Sequence, residues 1–394
     1  MHKKVSFIRK FLINPIIDCI KYYSLVVPYY LFRIVPIKKY KIFISNYSGK
    51  GYSDNAKYIV ENILKQKLDF DLVWSVIPGF NDSIPPQIRQ VKYGSLRAKY
   101  EEATAKIWID NSRKLTFVRK RKKQFYIQTW HGSVALKKIE KDAEDKLPCA
   151  YIEKAKHDSQ LINLILSNSG FCTEMYKRAF WYDGEILESG SPRNDILIKK
   201  PEDKKKKVYD YFHLDYNTKI LLYAPTFRTD YNTDTYNIHF SEALSALSEK
   251  NNCKVVFLVR LHPNISERSE NLFFSDTVIN ATFYPDMQEL MLVSDILITD
   301  YSSSMFEFIL MKKPVFLYIN DYHEYMEERG FYFDLTSLPF PLAVNTDDLI
   351  QKIIYFDSEK YVSQLNAFFQ QLQLFEDGNA SDRVVNRIIR ETAE

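Results

Sequence analysis

Apolar runs of strand length recur along the chain, separated by amphipathic stretches of helix length, and this alternation predicts βαβ units with buried parallel strands. The runs fall at Lys41–Asn46, Asp71–Val76, Lys106–Asp110, Phe125–Thr129, Leu161–Ser167 and Glu185–Glu188. They resume at Lys219–Ala224, Lys254–Leu261, Thr277–Asn280, Ile296–Thr299 and Pro314–Ile319. Two doubly wound α/β domains are expected, joined near Lys199–Lys207, where charge and Pro201 interrupt the apolar pattern. The division is residues 1–40 as an arm, 41–198 as a first Rossmann-like domain and 199–394 as a second. Beyond the last run, Leu349–Phe356, Tyr361–Phe375 and Ser381–Arg390 read as helices able to lean back across a cleft between the domains.

Length supports this division, since 394 residues exceed the ~250–300 at which one core stops growing. Four cysteines without a Cys-x-x-Cys pair suggest neither a zinc site nor a disulfide scaffold, and fit a reducing compartment. Charge changes the picture more. Residues 1–41 hold nine Lys/Arg against the single acid Asp18, a net +8 in a chain whose total is +4, so the remainder is net acidic. Aromatic and aliphatic residues alternate with those charges, as suits the headgroup boundary of an anionic membrane; a helical arm packed on its own domain is the plainer alternative. The longest charge-free stretch there, Tyr22–Phe32, contains Pro28 and is far short of the ~20 residues a spanning helix needs. Asp18 and Lys21 interrupt the apolar run of a signal peptide. A second basic run, Arg119–Lys123, faces the same membrane, a polyanionic acceptor or merely solvent. With the basic residues confined to the arm and one loop, no nucleic-acid partner is expected.

In open α/β sheets ligands bind at the carboxyl ends of parallel strands, and the polar clusters fall there. Gln128-Thr129-Trp130-His131-Gly132-Ser133 follows the fourth run, with Lys137, Lys138 and Asp142 behind it. His131 has the ordinary pKa best suited to take a proton from an alcohol at neutral pH, and Gly132 lets a substrate approach the backbone closely. Asp142 either orients the imidazole or lies on the surface. Arg260 and His262, two residues apart at a strand end, are a pair that can neutralise a phosphate; the alternative is that Pro263 merely ends the strand. Thr299-Asp300-Tyr301-Ser302-Ser303-Ser304 places hydroxyls where a strand gives way to a helix, an anion site or ordinary caps. Glu307 offers a carboxylate to a ribose, or only complements the helix dipole. Thr226 and Arg228 face the same cleft, unless Arg228 pairs with an acid. Gly190–Asp195, with Arg193, is a tight turn into a helix or a hinge. Gly49–Asn55 is a weak acceptor-loop candidate in which Asp54 stands where a dinucleotide fingerprint has glycine.

Taken in order, these blocks resemble the CDP-glycerol glycerophosphotransferase family of teichoic-acid and capsule synthesis. The resemblance runs from Phe125 to Leu335 through QTWHGS with its trailing KK and D, LSNSGFCTEMYKRAF, GSPRND, YAPTFR, VRLHP, SDILITDYSSSMFEF and RGFYFDL. It implies a glycosyltransferase-B-like pair of facing Rossmann-type domains, the first binding acceptor and the second a CDP-linked donor, on a protein attached peripherally to the cytoplasmic face of the membrane. The implied reaction moves glycerol phosphate, or a related polyol phosphate, from CDP-glycerol or CDP-ribitol to a hydroxyl of a lipid-linked or polymeric acceptor and releases CMP, with no cofactor and no metal ligands. Carried over by residue, His131 is the base and His262 a second essential histidine, while Arg228, Ser302, Ser303 and Glu307 contact the donor. Ser133-Val134 replaces a common Thr-Pro, and Leu338-Pro339-Phe340-Pro341 lacks the usual glycine; both departures bear on acceptor and polyol identity. Polymerising members usually carry additional domains, so a single-addition enzyme and a polymerase both stand as readings of this chain. A nucleotide-sugar transferase on the same fold is the enzymatic rival.

Overall fold

The computed structural model describes residues 23–80, 83–228, 244, 247–248, 253–262, 265, 272, 274–322 and 330–393. Two parallel sheets organise it. The first comprises β1 (Lys38–Ser45), β2 (Asp71–Val76), β3 (Arg89–Lys92), β4 (Ala105–Asp110), β5 (Phe125–Gln128), β6 (Leu164–Ser167) and β7 (Glu185–Glu188), in the order β3-β2-β1-β4-β5-β6-β7. The second comprises β8 (Lys219–Tyr223), β9 (Val255–Val259), β10 (Val278–Asn280), β11 (Ile296–Thr299), β12 (Val315–Tyr318) and β13 (Leu342–Ala343), in the order β10-β9-β8-β11-β12-β13. Each sheet reverses its strand order once, between β1 and β4 and between β8 and β11, and such switch points are where open sheets bind ligands.

All the runs expected as strands are strands, with ends moved by a few residues. Leu161 instead closes the helix Cys149–Leu161. Two edge strands carry no apolar run that could announce them: β3 buries only Val91, and β13 is two residues long. The lysine-rich join is helical. The helix Asp195–Lys199 stops at Lys200, whose φ of 49° is left-handed, and after Pro201 the helix Glu202–Phe212 begins.

Ile42 and Ile44 of β1, Ile107 and Ile109 of β4 and Ile127 of β5 point to one face of the first sheet, where Ile59, Val60 and Ile63 of the helix Asp54–Lys65 cover them. Val384, Val385 and Ile388 complete that cluster. The final helix, Ala380–Ala393, therefore packs on the first layer, which corrects the division that left all of 199–394 in the second. Its apolar stripe decides the matter, because each such side chain gains about 1.5–3 kcal/mol on burial. Asp195 caps it, accepting from the amides of Ala380 (2.9 Å) and Ser381 (2.8 Å). The chain reaches it along Gln373–Glu376, where Gly170 N donates to Gln373 O (2.9 Å) and Phe375 N to Asn168 O (2.8 Å). A Cβ at Gly170 would lie 2.3 Å from Gln373 Oε1 and 3.0 Å from Gln373 Cβ, so Gln373 would have to shift to admit a side chain.

Ahead of β1, residues 23–32 are helical, and Tyr29 buries itself against the loop before β5, donating to Arg119 O (2.8 Å). Most of the expected arm, residues 1–22, lies outside the described residues. Among the described residues no helix is long and apolar enough to cross a membrane.

Candidate active site

The two layers meet along a polar seam. Lys57, on the helix after β1, donates to Asp286 (2.6 Å) and Glu289 (2.8 Å) beside the helix Met287–Val293 of the second layer, and these side chains are almost fully buried. The segment after His131 pairs with the second layer as a short antiparallel ladder: Lys138 N donates to Gly330 O and Tyr332 N to Leu136 O, both at 2.8 Å. The QTWHGS and RGFYFDL blocks are thus two sides of one joint.

His131 stands just beyond β5. Its Nδ1 lies 2.8 Å from the carbonyl oxygen of Asn111, at the end of β4. A carbonyl only accepts, so Nδ1 holds the proton and Nε2 presents a lone pair. Trp130 forms a shelf beneath the imidazole, with ring centroids 4.1 Å apart and planes 31° from parallel. The turn gets its shape from Trp130, not from Gly132: Trp130 is left-handed (φ 53°), whereas a Cβ on Gly132 would meet only Trp130, at an ordinary 3.7 Å. Although His131 is solvent-exposed, surrounding protein lowers its pKa by desolvation, and Asn111 and Asp54 only partly counter this. The ring is neutral at neutral pH. Asp142 does not orient it. That carboxylate accepts from Arg178 (2.7 Å) and Tyr332 (2.7 Å), which tie it to the interlayer joint.

Behind His131 lies a network that sequence reading missed. Asn111 Nδ2 donates to Asp54 Oδ2 (3.0 Å), and its Oδ1 accepts from Tyr47 N (2.7 Å). Arg193, expected at a turn or hinge among the acceptor-side residues, is buried and donates to Asp54 (2.9 Å), to the carbonyl of His131 (3.2 Å) and to Glu307 of the second layer. Glu307 also accepts from Gln288 (2.6 Å). Both its oxygens are engaged within the protein, so the carboxylate expected to meet a ribose is a buried interlayer partner instead. The available signal was positional: Ser45-Asn46 and Asp110-Asn111 end the strands flanking the switch point.

In the second layer Arg228 is buried and donates to Asp321 (2.6 Å) and Thr226 O (2.7 Å), and lies 2.8 Å from Asp300. It pairs with acids, as the plainer alternative had it. Thr226 N is itself held by Asp300 (2.8 Å), at the switch point between β8 and β11. Ser302, Ser303 and Ser304 are half-buried; Ser302 and Ser304 share a hydrogen bond of 2.9 Å, and Ser303 Oγ accepts from Leu136 N (3.4 Å) across the seam. Arg260 donates to Tyr284 O, and its pKa is lowered by burial. His262 is exposed at the strand end, with its ring 5.9 Å from that of Phe227. Pro263 lies outside the described residues. Desolvation foremost, with smaller contributions from Lys137, Arg260 and Lys50, pushes His262 down to about 4. A bound phosphate would reverse that by adding the opposite charge.

A family model described as CDP-glycerol:poly(glycerophosphate) glycerophosphotransferase matches residues 27–390. The chain is 32% identical over 389 residues to the teichoic acid poly(glycerol phosphate) polymerase of Bacillus spizizenii, covering 94% of this chain and 98% of that one. It is 31% identical over 364 residues to the teichoic acid glycerol-phosphate transferase of Staphylococcus aureus, covering 89% and 92%. The wall teichoic acid polymerase TagF, solved as a histidine-to-asparagine variant soaked with CDPG, superposes with a TM-score of 0.83 at 27% identity over 99% of this chain and 98% of that one. The B. spizizenii relative is named a polymerase and this chain nearly spans it, so a length of this order does not separate single addition from polymerisation. The match over nearly the whole length and the shared arrangement of two parallel sheets place the chain in the CDP-glycerol:poly(glycerophosphate) glycerophosphotransferase family.

Proposed function

We propose that this protein transfers glycerol phosphate from CDP-glycerol to a hydroxyl of a teichoic-acid-type acceptor, within a glycosyltransferase-B-like pair of domains. The observation that carries the reading is the fixed tautomer of His131: Nδ1 is committed to Asn111 O, and Nε2 is left as a base. The acceptor oxygen gives its proton to Nε2 and bonds to the phosphorus bearing the glycerol, while the bond from that phosphorus to the bridging oxygen breaks and CMP leaves with the electron pair. Such a reaction depends mostly on positioning and charge neutralisation. Thr226, Ser302, Ser303 and Ser304 offer hydroxyls to the donor phosphates, and Arg260 and His262 offer N–H groups. Arg228 shapes this site by holding Thr226 in place. Incubation of the full chain with CDP-glycerol, CDP-ribitol or a UDP-sugar and a glycerol-phosphate-primed lipid acceptor tests the reading by product mass. Addition of a glycerol phosphate increment, with CMP released, is expected from CDP-glycerol; transfer of a sugar would overturn it.

An anionic membrane surface is the proposed workplace. Tyr23, Val27, Leu31 and Ile34 are exposed at helical spacing along and just past residues 23–32. The basic loop is tied to the same element, since Arg121 donates to Arg33 O and Val35 O (both 2.7 Å). An apolar stripe beside bound basic residues suits the interface of anionic lipid. The protein is expected to sediment with phosphatidylglycerol vesicles at low salt and to be released as salt rises, and Leu31→Glu with Ile34→Glu should abolish sedimentation. Equal binding by the double variant would refute this.

A further inference from the structure

We propose that Asp54, Asn111 and Arg193 are positioning residues that set the proton placement and aim of His131, and that Arg193 makes this alignment depend on contact between the two layers. The inference rests on His131 being the base, and it assigns a role to groups that need not touch substrate.

Three fixed points define the imidazole. Its ring lies on Trp130, its Nδ1 donates to Asn111 O, and its own carbonyl accepts from Arg193 (3.2 Å). The second point is only as steady as Asn111, whose side chain is gripped at both ends: Nδ2 by Asn46 Oδ1 and Asp54 Oδ2, and Oδ1 by Tyr47 N. Asp54 is held in turn by Arg193, and its left-handed backbone (φ 60°) aims the carboxylate back at β4. Asn46, Asp54, Asn111, Arg193 and Glu307 are all buried, where an unmatched charge is costly, so the array behind the imidazole has one favourable arrangement. That arrangement includes Glu307, because the same guanidinium that holds Asp54 and the His131 carbonyl reaches across the seam to it. Moving the second layer away would strip Arg193 of one carboxylate and disturb the base through a single side chain. Supporting residues of this kind usually matter about 10–100-fold when removed.

The charged groups facing His131 are Asp54, Arg193 and Glu140. Asp54 raises the imidazole pKa and Arg193 lowers it, so removing each must shift the base in opposite directions. The test is the pH profile of kcat/KM for CMP release by the full chain, compared with Asp54→Asn and Arg193→Gln. Asparagine has the shape of aspartate and tolerates a left-handed backbone, so Asp54→Asn should fold. Both variants are expected to lose about 10–100-fold in kcat with KM for the donor unchanged. The acid limb should move to lower pH in Asp54→Asn and to higher pH in Arg193→Gln. A purely structural role would lower thermal stability and leave the limbs in place. Limbs that stay put, or move together, while His131→Ala is inactive would overturn the inference; an active His131→Ala would overturn the base assignment instead. Should Arg193→Gln fail to fold, the direction of the Asp54→Asn shift decides alone.

Discussion

His131→Ala is expected to slow CMP release by about 10²–10⁴-fold, the usual contribution of a positioned general base, while calorimetric binding of CDP-glycerol stays intact. The split follows from geometry. His131 projects from the strand end of the first layer, whereas the hydroxyls proposed to hold the donor belong to β8, β11 and the loops behind them. In the native enzyme kcat/KM should climb as His131 loses its proton and level off above that point. Because desolvation lowers the imidazole pKa, the midpoint of the climb should fall below the ordinary histidine value of about 6.5. Full activity in the alanine variant, or weakened donor binding with an unchanged maximal rate, would remove His131 from the chemistry.

The largest expected change in stability is at Lys57. Lys57→Met removes the cation from a buried group in which Asp286 and Glu289 lie 2.6 and 2.8 Å away and are themselves inaccessible. Stripping one partner from such a pair costs about 3–5 kcal/mol, chiefly because Asp286 is left with neither water nor its cation, while Glu289 keeps Lys207 at 2.7 Å. Denaturant unfolding should show the loss, and its pH dependence should identify the cause. Burial alone would raise the pKa values of Asp286 and Glu289, but Lys57 outweighs it and holds both below the carboxylate range. Groups depressed in this way stabilise the fold fully above their unfolded values, about 4, and lose that effect as pH falls through the folded ones. Without Lys57 their pKa values rise, so the gap between native protein and variant should narrow on acidification. A gap that is small or constant with pH would mean that the charges are solvated.

Much of this arrangement could be read along the chain because buried parallel strands are nearly continuous apolar runs and their ends carry polar residues. His131, Thr226, His262 and the Ser302–Ser304 turn are candidates on that ground, and each stands just beyond the carboxyl end of a strand. What the pattern could not convey was pairing across the fold. Asp54 read as a misplaced residue in a glycine-type loop, although its left-handed backbone and its neighbour Asn111 give it a definite task. For Arg228 and Glu307 the sequence offers both a donor contact and a plainer role, and only three-dimensional proximity shows Asp300, Asp321 and Arg193 as their partners. β3 stayed hidden because Arg89, Gln90 and Lys92 face outward around one buried valine. The last helix was assigned to the wrong layer since its apolar stripe would fit either sheet.

The return of the chain to the first layer has a mechanical consequence. Polypeptide passes between the layers at Lys200–Pro201 and again at Gln373–Glu376, where Asn168, Ser191 and Asn194 grip the Glu376 carboxylate. Two pivots define an axis. Sliding the layers apart would pull the final helix from its bed, whereas a swing about the line joining the two crossings would leave it in place.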